Sequence, residues 1–528
     1  MSRTTEVAET PSSARSARWV AAGILLSRIT GLIRESVIGY YFGISLYADV
    51  VRTALRMPNV LQNLLGEGTL SASFIPVYAE LLEEGKKEEA GRVAGAVFAL
   101  LVALAGALAL LGIFLAPVLV SIFTPGFEGL RRELTILAIR IIFPMAGILV
   151  LSAWALGILN SHRRFFVSYV APVAWNAAMI AALFLFGGRI GPGRLVVAFA
   201  WGALVGGLLQ FAVQLPWVFS LERRLRVSLD FRLEGLRETV RNAVPAIMGR
   251  GVVQLSGYIE VFLASFVYTG VIATLGYAQT LYLLPISLFG MSIAAAELPE
   301  LSRQRRQAQE VIRNRVRGAL ERMAFYVVPS VVGYLVLGDV IIAAIFQRGA
   351  FGPGQTLATY AVLCGYTLGL LASTGCRVFS STFFALHDTR TPARIAAARV
   401  AVSAALGGGL MFALAPLQLG GESLGALGIA IGAAVGSWFE WVLLRRALRP
   451  RVGAVKMSKA VIGRMITAAV IAGAVGRGIF LLLPTINVIA TAVAVLIPYA
   501  ATYFLVGSLL GLDQARQVLK RIVGGGRR

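Results

Sequence analysis

Six polar residues recur along one predicted helix: Asp49, Arg52, Arg56, Asn59, Asn63 and Glu67 stand at i, i+3, i+7, i+10, i+14 and i+18. Residues at those intervals share one helical face. At 1.5 Å per residue the stripe is ~27 Å long, nearly the depth of a bilayer's hydrocarbon. An ionisable group in a spanning helix costs about 2.5–3.5 kcal/mol on insertion scales, so it normally faces a partner or a water-filled cavity. Two readings stay open. The stripe lines a wet groove, or its charges form ion pairs that glue helices together, with Asp49 held by Arg52 or Arg56. Small residues are the usual packing device in membranes, which favours the groove. Pro58 interrupts the stripe and predicts a kink.

The preceding helix adds Ser27, Thr30 and Arg34 at i, i+3 and i+7, with Arg28 alongside and Glu35 after. A guanidinium stays charged and its planar fork bonds two oxygens at once, so this set suits a phosphate. The competing reading has Arg28 or Arg34 snorkelling to the interface. Glu260, on the seventh predicted helix, is either an ion or proton site or the partner of an arginine from the first two helices. Asp339, Arg377 and Glu440 read as local pairs or interface positions. No His, Cys and carboxylate set has metal-ligand spacing, and no GxSxG, HExxH or Walker motif is present. No catalytic residue, metal or cofactor is therefore expected, and the chain reads as a transporter rather than an enzyme. Coupling to the membrane potential, Na+ or H+ stays open. Cys364 and Cys376 fall in one predicted helix and read as small core residues, not a disulfide.

Such charges need a membrane around them. Of 528 residues, 57% are hydrophobic and 14% charged, against roughly 25% charged in soluble domains. Nearly the whole length reads as apolar runs long enough to cross a ~30 Å hydrocarbon layer, too long for barrel strands. Helices are predicted at 19–43, 46–84 (kinked), 90–123, 130–157, 164–187, 193–220, 236–267, 270–298, 313–345, 355–384, 390–415, 421–447, 456–482 and 485–511. The expected fold is an all-α membrane protein of about 14 transmembrane helices.

The net charge of +23 would suggest nucleic acid in a soluble protein. Here the basic residues cluster in alternate short loops, among them Lys86–Lys87, Arg163–Arg164, Arg223–Arg226, Arg303–Arg306 and Arg445–Arg451. That asymmetry places both termini in the cytoplasm and removes nucleic acid as a partner. Membrane lipids surround the chain, and a monomer is expected.

Three short matches recur at offsets near 225 residues. Ile122–Phe127 resembles Ile345–Phe351, Leu159–Arg164 sits where the second half has Leu386–Arg390, and Pro58 matches Pro285. Six helices per repeat keeps both halves in one orientation. Parallel repeats of this kind are related by an axis along the membrane normal, with substrate sites usually between them. The expected organisation is a cytoplasmic tail at 1–18, lobes at 19–225 and 226–450 related by a pseudo-two-fold, two C-terminal helices at 451–511 and a basic tail at 512–528.

Ser27-Arg28-Ile29-Thr30-Gly31-Leu32-Ile33-Arg34-Glu35 is similar to the first-helix signature of the MurJ (MviN) family. Ala48-Asp49, Arg56-Met57-Pro58-Asn59, Gly66-Glu67-Gly68 and Ser71–Val77 resemble that family's second helix, and Phe384–Pro392 matches a block shared with related flippases. The resemblance implies the multidrug/oligosaccharidyl-lipid/polysaccharide exporter superfamily. It implies a flippase for lipid II, the undecaprenyl-pyrophosphate-linked peptidoglycan precursor, in the bacterial cytoplasmic membrane. By position it makes Arg28, Arg34, Asp49, Arg56 and Glu67 cavity residues, joined by Arg52 and Asn59 on the same stripe. Glu260 falls near where some relatives place a sodium ligand. Two departures stand out: Gln62-Asn63 and Gln279-Thr280 replace expected arginines, and Arg52 is the candidate substitute. The alternative is an exporter of another lipid-linked oligosaccharide, or a drug/ion antiporter.

Overall fold

A lipid-facing chain must bond every backbone N–H and C=O internally, and helices do this within one segment. The computed structural model describes residues 11–228, 230–294, 297, 301, 309–484 and 487–524, with the side chains of 11–22, 24, 246, 248–256 and 521–524 outside that description. It is almost wholly helical, and it divides into two compact units that part at Phe262.

The first unit holds the chain up to Phe42 and Leu46–Phe262. It comprises α1 (Pro11–Phe42), α2 (Leu46–Arg56), α3 (Asn59–Leu65), α4 (Glu67–Glu83), α5 (Lys87–Phe123), α6 (Gly129–Ser161), α7 (Phe165–Phe186), α8 (Pro192–Leu221) and most of α9 (Glu234–Ser265). α6 is central, packed by α5, α8, α2 and α4, while α1 lies along α7. Phe74, Tyr78, Val150 and Trp154 form its dry core, and the Trp154 indole donates to the Ala94 carbonyl at 3.0 Å.

The kinked helix predicted over 46–84 is broken twice. Pro58 has no N–H to give, and Met57–Pro58 forms a turn between α2 and α3. The second break, at Gly66, was not foreseen: its ψ of −148° leaves the helical region. The face shared by Asp49 through Glu67 is therefore cut into three pieces. α1 also begins eight residues earlier than 19.

The second unit holds Gly43–Ser45 and the chain from Leu263. α10 (Val271–Pro285) runs into a π-helical turn over Ile286–Met291. After it come α11 (Gln309–Phe346), α12 (Pro353–Thr367), α13 (Leu370–Ala385) and α14 (Arg390–Leu414). A short hairpin, β1 (Gln418–Leu419) with β2 (Glu422–Ser423), precedes α15 (Gly425–Val452), α16 (Lys459–Leu482), α17 (Val488–Leu509) and α18 (Asp513–Gly524).

The helix predicted at 355–384 is bent by 41° between α12 and α13, so Cys364 and Cys376 lie on different helices, both as free thiols. α18 replaces part of the expected 512–528 tail, because Leu512 and Ala515 bury themselves with Phe325, Met465 and Tyr503. α14 and α15 meet through glycines, a close approach typical of membrane helices. Asp339 pairs with Arg477 at 2.7 Å and Glu440 with Arg399 at 3.2 Å, each a local bridge between neighbouring helices. Glu297 is held by Arg315 at 2.7 Å and by Arg322. Arg303, Arg305 and Arg306 lie outside the described residues.

Local geometry carries the internal repeat. The Pro58 break answers the π-helical turn after Pro285. α5 ends at Phe123 and α11 at Phe346. Beyond α6 and α13 the chain turns through left-handed residues, Arg163 at φ 59° and His387 at φ 58°.

Among the described residues ten helices are long and apolar enough to cross a membrane, or eleven if α12 and α13 make one span. The chain is a multi-pass membrane protein. α1, the α2–α4 segment and α9 fall outside that set. They are the segments that carry Arg28, Arg34, the broken stripe and Glu260.

Candidate functional site

Three helices of the first unit, α1, α2 and α7, meet around one carboxylate. Glu35 of α1 takes the Arg34 guanidinium on one oxygen at 2.7 Å, and its other oxygen lies 2.8 Å from Arg52 of α2. Arg34 also donates to Asn176 Oδ1 of α7 at 3.0 Å, and its guanidinium lies 5.3 Å from the Trp175 ring centre. Asn176 in turn donates to Thr30 Oγ1 at 3.2 Å. Arg34 and Arg52 keep only 16% and 13% of their side-chain surface, so neither snorkels. The trio Arg34–Glu35–Arg52 carries one net positive charge. Arg34 Nε and Asn59 Oδ1 are buried with no hydrogen-bond partner among the described residues.

The other predicted residues divide. Arg56 packs against Gly257 of α9, and the Tyr258 hydroxyl donates to the Arg56 carbonyl at 2.9 Å. Glu260, three residues beyond Gly257, shares its face of α9 and so lies on the Arg56 side. Arg28 and Glu67 are exposed and outside the network, with Glu67 acting on Tyr169 of α7.

Asp49 needs correction as a groove residue. It is fully buried and binds Arg131 of α6 at 2.5 Å. Arg131 is itself buried, with its guanidinium 3.7 Å from the Phe127 ring centre. This pair ties α2 to α6.

At the positions where arginines were expected, the side chains are otherwise engaged. Gln62 is half-buried on α3. In the second unit Gln279 donates to the Tyr366 hydroxyl at 2.8 Å, and Thr280 bonds back to Gly276 at 2.9 Å. Arg52 is the cation that α2 brings to the network.

Sequence reasoning missed Asn176 and Trp175. Asn176 carried a signal, as a lone amide within the apolar run of α7. Among the described residues no group of three or more His, Cys, Asp or Glu side chains could hold a metal. A guanidinium offers five donors in a fixed fork and no acceptor, so the network's arginines suit an anion.

The family model described as "Lipid II flippase MurJ" matches residues 38–510. This chain belongs to the MurJ family. A protein named probable lipid II flippase MurJ from Rhizobium meliloti is 32% identical over 438 residues, covering 80% of this chain and 78% of the relative. A MurJ relative from Bdellovibrio bacteriovorus is 29% identical and spans 96% of both chains. The solved structure of a MurJ flippase in an inward closed conformation superimposes with a TM-score of 0.74 at 23% identity, covering 94% of this chain and 99% of that one. An inward-facing multidrug resistance transporter of the MATE family gives a TM-score of 0.63 at 19% identity, over 80% of this chain and 94% of its own. The MurJ family is thus the frame in which the arginine network sits.

Proposed function

We propose that this chain flips lipid II, or a precursor with the same polyprenyl-pyrophosphate core, from the inner to the outer leaflet of the bacterial cytoplasmic membrane. Arg34 and Arg52, bridged by Glu35, carry this reading. Two fixed guanidiniums on adjoining helices suit a pyrophosphate, which presents oxygens to both. Arg28 and Arg56 supply further positive charge, Asn59 a polar contact and Glu67 the acidic end of the path. Asp49 supports the site from behind, through Arg131. The prenyl tail stays in lipid while the head group crosses.

No covalent bond is made or broken, so the work is transport by alternating access. Each uncompensated negative charge carried outward gains ~2.3 kcal/mol per 100 mV of membrane potential. Glu260 is the candidate residue for coupling to Na+ or H+. Both termini lie in the cytoplasm, on the side of the basic loops, and the working unit is a monomer.

The test is complementation of a strain depleted of its own lipid II flippase, joined to a lipid II accessibility assay. The wild-type chain should restore growth and outer-leaflet lipid II. Arg34→Ala and Arg52→Ala should be inserted normally and fail in both. Undiminished flipping by both variants would remove the assignment.

A further inference from the structure

At the end of α6 that adjoins the basic loops, the chain makes a choice that packing does not explain. His162 turns inward, its Nε2 3.1 Å from the Tyr78 hydroxyl, which donates to Glu222 at 2.8 Å. The next residue adopts a left-handed conformation, φ 59°, where glycine fits without strain. The chain places Arg163 there instead, followed by Arg164. Both are exposed, and among the described residues neither joins an ion pair.

These arginines rim a groove of about 590 Å³ between α7 and α8, a size typical of ligand sites. Phe166 and Val170 of α7 form one wall, and Val213 and Trp217 of α8 the other. No carboxylate lines it. The polar groove around Arg224 differs on this point, since Glu88 sits in it and pairs with Arg224 at 3.0 Å. The outer face of α8 that leads from the groove is apolar: Trp201, Leu208, Leu209 and Val213 are 45–54% exposed. In a membrane protein that face meets hydrocarbon, so the groove opens sideways into the bilayer. Trp217, 44% exposed, stands at its charged end, where amphipathic rings mark the interface.

We propose that this groove binds a phospholipid with an anionic head group, at a site separate from the arginine network of α1 and α2. The phosphate sits on Arg163 and Arg164, and an acyl chain runs between Val170 and Val213. Charge complementarity selects the head group: two cations on a groove with no carboxylate in its lining face a leaflet rich in anionic lipid. The opening toward hydrocarbon selects a lipid over a soluble anion.

The test measures lipid retention by the purified full chain in neutral detergent, using native mass spectrometry with phosphatidylglycerol, phosphatidylcholine or glycerol phosphate. Wild type should hold phosphatidylglycerol roughly thirtyfold more tightly than phosphatidylcholine, the effect of two basic residues at a membrane surface. Arg163→Gly with Arg164→Gln should erase that preference. The glycine suits the left-handed backbone, so folding is not at risk. Val213→Trp, which fills the groove, should weaken retention of both lipids. An unchanged preference in the double variant overturns the proposal, as does unweakened retention in Val213→Trp. Glycerol phosphate bound as tightly as phosphatidylglycerol would also overturn it, making the pair a soluble-anion site. The α1–α2 network is untouched by these changes, so failure here leaves the flippase assignment standing.

Discussion

Arg52 of α2 reaches Glu35 of α1 at 2.8 Å, and through that carboxylate it shares a counter-charge with Arg34. In the function proposed above, Glu35 would compete with a phosphate oxygen for the two guanidiniums. Its neutral isostere Glu35→Gln should raise the cluster's net charge by one, tighten head-group binding about tenfold and slow release. Retention of lipid II by the purified protein and its flipping rate in vesicles would move in opposite directions. If Glu35→Gln weakens retention, the carboxylate serves the fold and not the exchange of anions.

The Asp49–Arg131 pair makes a different prediction. Both partners are buried, so Asp49→Asn strands a guanidinium and should cost about 3–5 kcal/mol. Replacing both with apolar residues, as Asp49→Leu with Arg131→Met, should recover most of that loss. Thermal unfolding in detergent distinguishes the two. Equal destabilisation by the single and double variants would show that the pair is not the source.

Two groups at the ends of helices lose their contribution as pH falls, each in its own range. Asp388 accepts the Thr391 N–H at 2.9 Å and its hydroxyl at 2.7 Å, with Arg451 at 2.6 Å. These contacts, the Thr391 N–H foremost, hold its carboxyl down at about 2. Its contribution is therefore complete above the ordinary value near 3.8 and is lost as pH falls through about 2. Asp388→Ala should cost about 1 kcal/mol at neutral pH, as loss of a helix cap does, and nothing once wild type is protonated. Unfolding midpoints measured against pH would show the curves converging in acid.

His162 works in the range of mild acid. Burial pushes its ring below the usual 6.5; Glu222 opposes this and Lys87 adds to it. The unfolded chain then takes up a proton that the folded chain refuses, so stability is full above about 6.5 and declines as pH drops toward the folded value. His162→Gln should flatten that decline in a thermal-melt series from about pH 7 to about pH 5. A slope that survives the substitution assigns it to another group.

The contact of α14 with α15 offers a packing test. A Cβ at Gly432 would run into the backbone of Gly407, which has no side chain to move aside. Gly432→Ala should cost about 1–3 kcal/mol despite alanine's better helix propensity. Melting in detergent reads it, and a neutral result would mean that the helices part without penalty.

Much of this was legible before any coordinates. Apolar runs locate spans because a bilayer admits no other backbone arrangement, and Pro58 announced its break because proline has no N–H. Periodicity tells which residues share a face, but it does not tell what faces them. Asp49 and Arg131 are 82 positions apart, and Arg34 and Asn176 are 142 apart, so each pairing depends on how α2, α6 and α7 pack. The break at Gly66 was hidden because an isolated glycine is tolerated in many helices. α18 was hidden because a basic, amphipathic dozen residues reads as a tail until Leu512 and Ala515 find α16 and α17.

The two interruptions between Leu46 and Glu83 turn one crossing into three short rods joined by swivels. A continuous helix moves as a single lever, and changing its course means severing ladder bonds. Here Pro58 has no N–H to give and Gly66 turns out of the helical conformation, so the rod bearing Arg52 can re-aim relative to the one bearing Tyr78 while each keeps its own hydrogen bonding. The lower swivel leaves room for glycine alone: the Cβ of Gly66→Ala would run into the Gln62 carbonyl, and the segment that holds the cations would have to shift to admit it.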